Sequence, residues 1–269
     1  MHVIDMFVHP VAEASETDLF DVSRLDWPAW TAATLAAMDR DGVAASGVCL
    51  MDEGILDRPD QLRQLAAAAQ TGRLWFTLLP DFRRADAAAR VEQAAQAGFR
   101  GLTFHSYLQR ITPADQPAVI DLARRAEANG LYTGLCTAYG SKQMFSYQSL
   151  PLAAAVAEAL SGPVLLHHNG GARVIDALLM CEMWPNLHLE TSFSLSYWQG
   201  SSVDLDLAFA IRKLGARRVF FGSDAPFVPA ATALRDHEAF FDRHGFAEGD
   251  RRLILGDAAR AVFPFLSHP

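Results

Sequence analysis

The sequence predicts a single-domain (β/α)8 TIM barrel spanning residues 1–269, and three observations lead to this fold class. The chain is long enough to bury one large core, and 51% of its residues are hydrophobic. Eight apolar, strand-like runs alternate with helical segments, which indicates a parallel sheet. No run is followed by the glycine-rich loop expected of an open nucleotide-binding sheet. Eight such units in about 250 residues are typical of a closed barrel.

The predicted strands are short apolar runs that end at a polar residue, a glycine or a proline. The first ends at His9 and Pro10, and the eighth ends at Gly222, just before Asp224. The eight runs cover residues 3–8, 43–51, 74–79, 99–104, 131–137, 163–168, 187–191 and 218–222.

Helical segments follow the predicted strands, and many of them carry recognisable start and stop residues. Pro28 opens the first helix, and Gly42, Gly98 and Gly215 follow the ends of three of them. Residues 10–27 and 138–148 lack helical periodicity and are predicted to be loops over the strand ends. The helices are predicted at residues 28–40, 58–71, 85–97, 113–129, 150–160, 172–183, 203–214 and 230–243, with a pair of short helical segments from 249 to 263.

Composition and charge exclude several classes of function. The formal net charge is −8 and no basic run is present, so we expect neither a nucleic-acid nor an anionic-membrane partner. The apolar runs are too short to span a membrane, and no signal-peptide pattern opens the chain. Three widely spaced cysteines, Cys49, Cys136 and Cys181, predict free thiols in a reducing compartment. We therefore expect a soluble, cytoplasmic protein that acts on a small molecule, and its loop aromatics are compatible with a homodimer.

Polar residues at the carboxyl ends of the predicted strands mark the candidate site, because barrel enzymes place their active sites there. Side chains alternate along a strand, so Phe7 and His9 share a face. Of two adjacent histidines, the glycine pair that follows favours His168 as the inward residue and His167 as an outward or packed one. The strand-end residues are His9, Asp52 or Glu53, Asp81, His105, Cys136 or Thr137, His168, Thr191 or Ser192, and Asp224.

Asp224 is the central candidate among these residues. A carboxylate at the end of a buried strand is costly unless a proton, a cation or a substrate satisfies it. Taken alone, such a residue would more often cap the following helix. Because two other predicted strands end in His9 and His168, we interpret Asp224 as part of a site.

Six motifs, in order along the chain, resemble those of the amidohydrolase superfamily. The resemblance is to the amidohydrolase-related branch, which includes aminocarboxymuconate-semialdehyde decarboxylase and related decarboxylases and lactonases. The motifs match its first strand (normally His-x-His), fourth strand (Gly-x-Lys-x-His), sixth strand (His-x-Gly-Gly), seventh strand, eighth strand and closing helix. They are IDMFVHP at 4–10, GLTFH at 101–105, PVLLHHNGG at 163–171, WPNLHLETS at 184–192, FGSDAP at 221–226 and ILGDAARAVF at 254–263.

The resemblance implies a divalent metal held by two first-strand histidines, a fifth-strand histidine and the eighth-strand aspartate. Phe7 stands where the first of these histidines is expected, and Cys136 stands at the fifth-strand position. The usual fourth-strand lysine or arginine is Thr103. His9 and Asp224 remain of the metal set, and His168 matches the family's catalytic or second-metal histidine.

Three hypotheses follow for the chemistry. In the first, zinc is bound by His9, Asp224 and either His168 or Cys136, and it activates a water molecule. In the second, Asp224 is a general base without a metal, while His168, His9 or His105 polarises the carbonyl of an activated ester such as a lactone. In the third, the barrel binds a small molecule and is catalytically silent.

Together these features predict a hydrolase of a C–O or C–N bond, of the lactone or amide type, in a small polar substrate. Asp224 and His168 are predicted to activate water, with His105 as a third catalytic residue. The metal ligands, if zinc is bound, are predicted to be His9, His168 and Asp224. Non-oxidative decarboxylation is the alternative activity, since the branch carries out both reactions.

Other residues are open between a functional and a structural role. Cys136 is a ligand, a nucleophile or inert packing, and His105, beside Tyr107, is a substrate contact or a capped loop residue. His188, in the middle of a strand, is predicted to be structural. Arginines near strand ends could bind a substrate carboxylate or be surface charges: Arg83, Arg84, Arg100 and Arg110. Loop aromatics could line a pocket or pack elsewhere: Phe145, Tyr147, Tyr197 and Trp198.

Overall fold

Eight parallel strands form one sheet in chain order in the structure, a computed structural model that describes residues 2–11, 20–138 and 142–266. Each strand is fully or almost fully buried, as expected where a sheet is covered on both faces. The strands are β1 Val3–Val8, β2 Val43–Leu50, β3 Leu74–Leu78, β4 Gly101–His105, β5 Tyr132–Cys136, β6 Val164–His167, β7 Leu187–Glu190 and β8 Val219–Phe220.

Hydrogen bonds between β1 and the segment after β8 bring the two edges of the sheet together. The amide of Met6 donates to the carbonyl of Phe221 at 2.9 Å. The amide of Asp224 donates to Phe7 at 2.9 Å, and that of His9 donates to Ala225 at 2.7 Å. The sheet is therefore a nearly closed barrel, and the predicted (β/α)8 fold is confirmed.

The helices lie between successive strands, close to the predicted positions. Two short helices, α5 and α8, fall in segments that were predicted to be irregular. Each is about one turn long and buries one large apolar residue, Met144 or Leu195, so it is too short to give a periodic pattern. The helices are α1 Trp27–Asp41, α2 Pro59–Ala69, α3 Ala87–Gln96, α4 Gln116–Ala128, α5 Lys142–Ser146, α6 Ser149–Ala159, α7 Val174–Met183, α8 Ser194–Tyr197, α9 Ser202–Leu214, α10 Ala230–His244, α11 Glu248–Arg252 and α12 Ala258–Val262.

The inside of the barrel changes character from one end to the other. At the amino-terminal end, Trp75, Leu165 and Phe220 pack with Phe263, which follows α12. Nearer the carboxyl end the buried side chains are polar, and the hydroxyls of Thr77 and Thr103 lie 3.2 Å apart. An apolar plug therefore closes one end, and buried polar groups are concentrated towards the other, where the candidate residues lie.

Strand β1 changes its side-chain phase just before the candidate site. Its pairing with β2 is irregular between Asp5 and Val8, where three residue steps on β1 oppose two steps on β2. Met6 packs in the apolar plug, yet the next residue, Phe7, contacts histidines near the carboxyl end. An extra residue in a strand re-aims the side chains that follow it. This irregularity therefore turns Phe7 and His9 into the barrel and leaves Asp5 on the outer face.

The three cysteines are free and buried, as the sequence predicts. None of the described helices combines the length and the apolar character that crossing a membrane requires.

Prediction for stability against pH

His188 is buried in the barrel, where its ring stacks on Phe220 with 5.0 Å between ring centroids. Its Nδ1 atom has no hydrogen-bond partner in the described part of the chain, and burial lowers its pKa to about 4. In the unfolded chain the ring takes up a proton below about pH 6.5, whereas in the folded protein it stays neutral until about pH 4. Stability is therefore lost as the pH falls through this window.

We expect His188→Phe, which keeps an aromatic ring against Phe220, to weaken this dependence. The slope of unfolding free energy against pH between 4 and 6.5 should fall by up to about 1.4 kcal/mol per pH unit. Urea unfolding at several pH values measures the slope. His2→Phe is the control, because His2 is exposed. An unchanged slope in His188→Phe would show that His188 protonates equally in both states.

Candidate active site

A cavity of about 370 Å³ opens at the carboxyl ends of the strands. It brings together His9, His105, His168 and Asp224, which are the residues that the sequence predicted for catalysis and metal binding. The remaining described lining is aromatic or aliphatic and consists of Phe7, Phe20, Met51, Tyr107, Leu108, Ala138, Met144, Phe193 and Phe227.

His9 and Asp224 form a direct contact within this cavity. Nε2 of His9 lies 3.2 Å from Oδ1 of Asp224, and Nδ1 lies 3.3 Å from the carbonyl oxygen of Cys49. A carbonyl oxygen can only accept, so Nδ1 carries a hydrogen. A favourable contact at Nε2 then requires one more proton, either on the imidazole or on the carboxyl group. The two side chains therefore share a proton between them.

A second carboxyl group, that of Asp5, holds the turn that carries Asp224. The amide and the hydroxyl of Ser223 donate to the two oxygens of Asp5 at 2.9 and 2.6 Å. Burial raises the pKa of Asp5 to about 7, although its hydrogen bonds with Ser223 oppose this shift. Asp224 itself has a φ of 69°, an uncommon conformation that needs support from its surroundings. Sequence reasoning missed this role, although Asp5 stands out as a lone acid in an apolar strand.

His168 lies immediately after β6 and also has a positive φ, 64°. Its Nδ1 atom lies 3.0 Å from both the carbonyl oxygen and the hydroxyl oxygen of Ser192. Because the carbonyl can only accept, Nδ1 carries the hydrogen. In the neutral ring the lone pair is then on Nε2, the nitrogen that a general base uses.

His167 is packed inside the barrel, which is one of the two positions predicted for it, outward or packed. The expectation that only one of the two adjacent histidines faces the barrel is wrong, because both do. Strand alternation continues to the last residue of β6, and Leu165 and His167 share the inner face. The left-handed conformation starts only at His168, which brings both histidines towards the barrel axis. The ring of His167 stacks on Phe7 with 4.0 Å between ring centroids.

The contact between His167 and Glu190 is a buried hydrogen bond in which the imidazole is neutral. Nδ1 of His167 lies 3.0 Å from Oε2 of Glu190, and both side chains are almost completely buried. Burial lowers the pKa of His167 to about 3 and raises the pKa of Glu190 to about 7. Sequence reasoning missed Glu190, although an acid in a short apolar strand is a signal that could have identified it.

His105 is an uncharged group in the cavity wall. Burial holds its pKa well below the usual value, and nearby His168, His9 and His167 act in the same direction. Its ring packs edge-on against Tyr107, and its buried Nδ1 atom has no hydrogen-bond partner among the described residues.

Cys136 is a buried thiol rather than a thiolate. Burial raises its pKa well above the usual value, and its side chain shares a hydrogen bond with Tyr107. A metal ligand or a nucleophile requires the thiolate form. The structure therefore favours the packing role among the roles left open by the sequence.

Several other strand-end residues serve the scaffold. Asp52 accepts from the amide of Gly54 and pairs with Arg58, and Glu53 pairs with Arg90. Three further strand-end residues form hydrogen bonds between their side chains and nearby backbone groups. Asp81 bonds to Arg83, Thr137 bonds to His167 and Gly170, and Thr191 bonds to Phe220.

None of the arginines and loop aromatics with open roles is among the described residues that line the cavity. Arg83 binds Asp115, Arg84 binds Asp86, and Arg100 lies over the ring of Phe265. Arg110 and Phe145 are exposed. The other three aromatics are the half-buried Tyr147, Tyr197, which stacks on Phe193, and Trp198, which packs against the outer core.

The residues of this chain do not fit the metal that the resemblance implies. No group of three or more histidine, cysteine, aspartate or glutamate side chains in the described ranges is arranged to hold a metal ion. The predicted set of His9, His168 and Asp224 is therefore not assembled, and Phe7 makes edge contacts with both histidines. Three protein ligands are the usual minimum for a catalytic zinc.

We predict that Phe7→His creates a metal site, because it adds a third ligand next to His9 and Asp224. Zinc affinity should rise by at least about tenfold over wild type, measured by equilibrium dialysis followed by metal analysis. Phe7→Leu is the control, since it removes the ring without adding a ligand. Equal zinc affinity of the wild-type protein and Phe7→His would contradict the argument that Phe7 prevents metal binding.

A family model described as amidohydrolase matches residues 4–265, whereas no curated protein sequence matches the chain.

Three solved structures illustrate the likeness in fold. A Pseudomonas putida protein described as a candidate 2-pyrone-4,6-dicarboxylic acid hydrolase is 19% identical, with 98% of each chain covered and a TM-score of 0.69. 5-Carboxyvanillate decarboxylase of Sphingomonas paucimobilis is also 19% identical, with 98% of this chain and 99% of that chain covered and a TM-score of 0.63. An uncharacterised TIM-barrel protein of Bordetella bronchiseptica is 15% identical, with both chains covered completely and a TM-score of 0.72. At these identities the structures show a common fold. Because the family model spans nearly the whole sequence, the chain belongs to the amidohydrolase family of enzymes.

Proposed function

We propose that this enzyme hydrolyses an uncharged ester or lactone, with His168 and Asp224 activating the attacking water. The observation that carries the proposal is the fixed tautomer of His168. The carbonyl of Ser192 holds the hydrogen on Nδ1 and leaves the lone pair on Nε2, in a residue that lines the same cavity as Asp224. The amidohydrolase family commonly uses a divalent metal, but here the described side chains offer a general base and no complete ligand set.

Each step of the proposed reaction uses a group in the cavity. Nε2 of His168 takes a proton from water as the water oxygen attacks the carbonyl carbon. The resulting imidazolium then returns that proton to the oxygen that leaves, so the products are a carboxylic acid and an alcohol, joined in one molecule when the substrate is a lactone. Asp224, paired with His9, accepts a hydrogen bond from the water and orients it for attack.

His105 suits the role of a hydrogen-bond donor to the substrate carbonyl oxygen. Its ring lines the cavity and remains neutral near pH 7. A neutral imidazole carries one N–H hydrogen, and the developing negative charge on the carbonyl oxygen would strengthen that hydrogen bond in the transition state.

The lining of the cavity favours an uncharged, ring-shaped substrate over the small polar one that the sequence predicted. Aromatic and aliphatic side chains surround the histidines, and no lysine or arginine is present among the described lining residues. The Pseudomonas neighbour is named for a dicarboxylic acid, and a dicarboxylate in this cavity would lack a cationic partner. A cavity of about 370 Å³ suits a substrate of one or two rings.

Hydrolysis is favoured over decarboxylation by the same lack of cationic groups. A decarboxylase must bind a carboxylate, and the neighbour from Sphingomonas is named for a carboxylated aromatic compound. No described lysine or arginine lines this cavity to pair with the carboxylate of such a substrate. An ester is also favoured over an amide, because an alkoxide or phenoxide leaves more readily without a metal to polarise the carbonyl.

We predict that Asp224→Asn and His168→Gln each lower kcat/KM for an aryl ester by about 10²–10⁴-fold. Asp224→Asn keeps the shape of the side chain but removes the carboxylate that orients the water, and His168→Gln removes the nitrogen lone pair that takes the proton. Hydrolysis of phenyl acetate followed in a spectrophotometer measures the effect. Asp60→Asn is the matched control, because Asp60 is exposed on α2 and distant in sequence from the site. Full activity in both site variants would refute the proposed mechanism.

We also expect the enzyme to prefer uncharged substrates over negatively charged ones. An unsubstituted 2-pyranone or a related neutral lactone should have a kcat/KM at least about tenfold higher than its dicarboxylate, because no described cation in the lining pairs with the carboxylates. Parallel assays should detect no carbon dioxide release from 2,6-dihydroxybenzoate. Preference for the dicarboxylate would overturn the substrate assignment, and carbon dioxide release without ester hydrolysis would favour the decarboxylase alternative.

A further inference from the structure

We propose that Glu190 is a positioning residue that sets the tautomer of His168 through the hydroxyl of Ser192. The catalytic consequence rests on the proposed function, whereas the effect on the tautomer does not. Neither Glu190 nor Ser192 is among the described residues that line the cavity, so the proposed action is indirect.

Glu190 is completely buried in β7, and both of its carboxyl oxygens are engaged. Oε1 accepts from the backbone amide of Ser192 at 2.6 Å. Oε2 accepts from the Ser192 hydroxyl at 2.7 Å and lies 3.0 Å from Nδ1 of His167. A serine hydroxyl has a single hydrogen, so the bond to Glu190 leaves its oxygen to act as an acceptor towards His168.

His168 Nδ1–H is consequently held by two acceptors on the same serine. The carbonyl oxygen and the hydroxyl oxygen of Ser192 each lie 3.0 Å from Nδ1. The arrangement does not depend on whether Glu190 carries a proton. A protonated Oε2 can donate to Nδ1 of His167 and still accept from the Ser192 hydroxyl.

The barrel is built to accommodate the carboxyl group of Glu190. A Cβ atom at Gly222 would overlap Oε1, so a residue with a side chain there would displace Glu190. A Cβ atom at Gly134 would likewise overlap Nε2 of His167, the ring that contacts Oε2. Both glycines lie on strands or strand ends next to the pair, and both leave space that these two polar side chains fill.

The matching amide variant, Glu190→Gln, should reverse the hydrogen bond at Ser192. The Ser192 backbone amide requires an acceptor at the Oε1 position, so the introduced side-chain amide would place its nitrogen at the Oε2 position. That nitrogen donates to the Ser192 hydroxyl oxygen, and the hydroxyl hydrogen then turns towards Nδ1 of His168. The serine carbonyl still favours Nδ1–H, so a mixture of the two tautomers is expected.

The direct test is nuclear magnetic resonance of the full-length protein labelled with ¹⁵N-histidine, with the His168 signals assigned from His168→Gln. Wild type should show Nδ1 protonated and Nε2 unprotonated. Glu190→Gln should show a mixture and a kcat for the aryl ester about tenfold lower, with KM changed less than twofold. An unchanged tautomer in Glu190→Gln, whatever the activity, would overturn the proposal.

A second substitution separates positioning from loss of structure. Ser192→Ala removes the hydroxyl and leaves the carbonyl as the sole acceptor from residue 192, so it should keep Nδ1–H. The double variant that combines Ser192→Ala with Glu190→Gln should show the wild-type tautomer of His168 and recover most of the lost kcat. Failure of the double variant to restore the tautomer would contradict the proposal. A wild-type protein with the expected tautomer and no esterase activity would refute the proposed function and leave the positioning role supported.

Discussion

Phe7 stacks on His167 with 4.0 Å between ring centroids, and this contact constrains the rest of the site. The same phenyl ring meets His9 and His168 edge-on, so three imidazoles surround one apolar group. An apolar neighbour cannot ligate a cation, and it disfavours a charge on the rings that it covers. The low pKa of His167 accords with this setting, because burial is its main cause. The chemistry proposed for the site therefore uses proton transfer between side chains and water and no metal ion.

Two buried carboxyl–serine pairs support the residues that would move those protons. Asp5 accepts from the amide and hydroxyl of Ser223, and Glu190 accepts in the same way from Ser192. Ser223 directly precedes Asp224, and Ser192 holds the ring of His168. Asp224 and His168 both have positive φ angles, which cost free energy that surrounding contacts must offset.

The same two acids are unfavourable to bury, since burial raises the pKa of each to about 7. Neither Asp5 nor Glu190 is among the described residues that line the cavity. The free-energy cost of burying these two acids is consistent with a site that requires precise placement of His168 and Asp224.

Much of the fold was predictable because strand and helix periods alternate along the whole chain. His9, His105, His168 and Asp224 were also predictable, since each stands at a strand end and those ends meet at one face of a barrel. That both His167 and His168 face the barrel was not predictable from alternation alone, because the left-handed conformation that turns His168 inward starts only after β6. The phase change between Met6 and Phe7 has no local sequence signal, as it arises from how β1 pairs with β2. The contact between Asp5 and Ser223 joins residues 218 positions apart, and only the closed barrel brings them together.

The most direct test of a site that works by proton transfer is the activity of protein with a known metal content. Wild-type protein should be dialysed against a chelator, its transition metals quantified by mass spectrometry, and its kcat for a neutral aryl ester measured before and after zinc is added. We predict that protein with less than about 0.1 metal ion per chain keeps its full kcat and gains nothing from zinc. Activity that is lost with the metal and restored in proportion to added zinc would contradict the account.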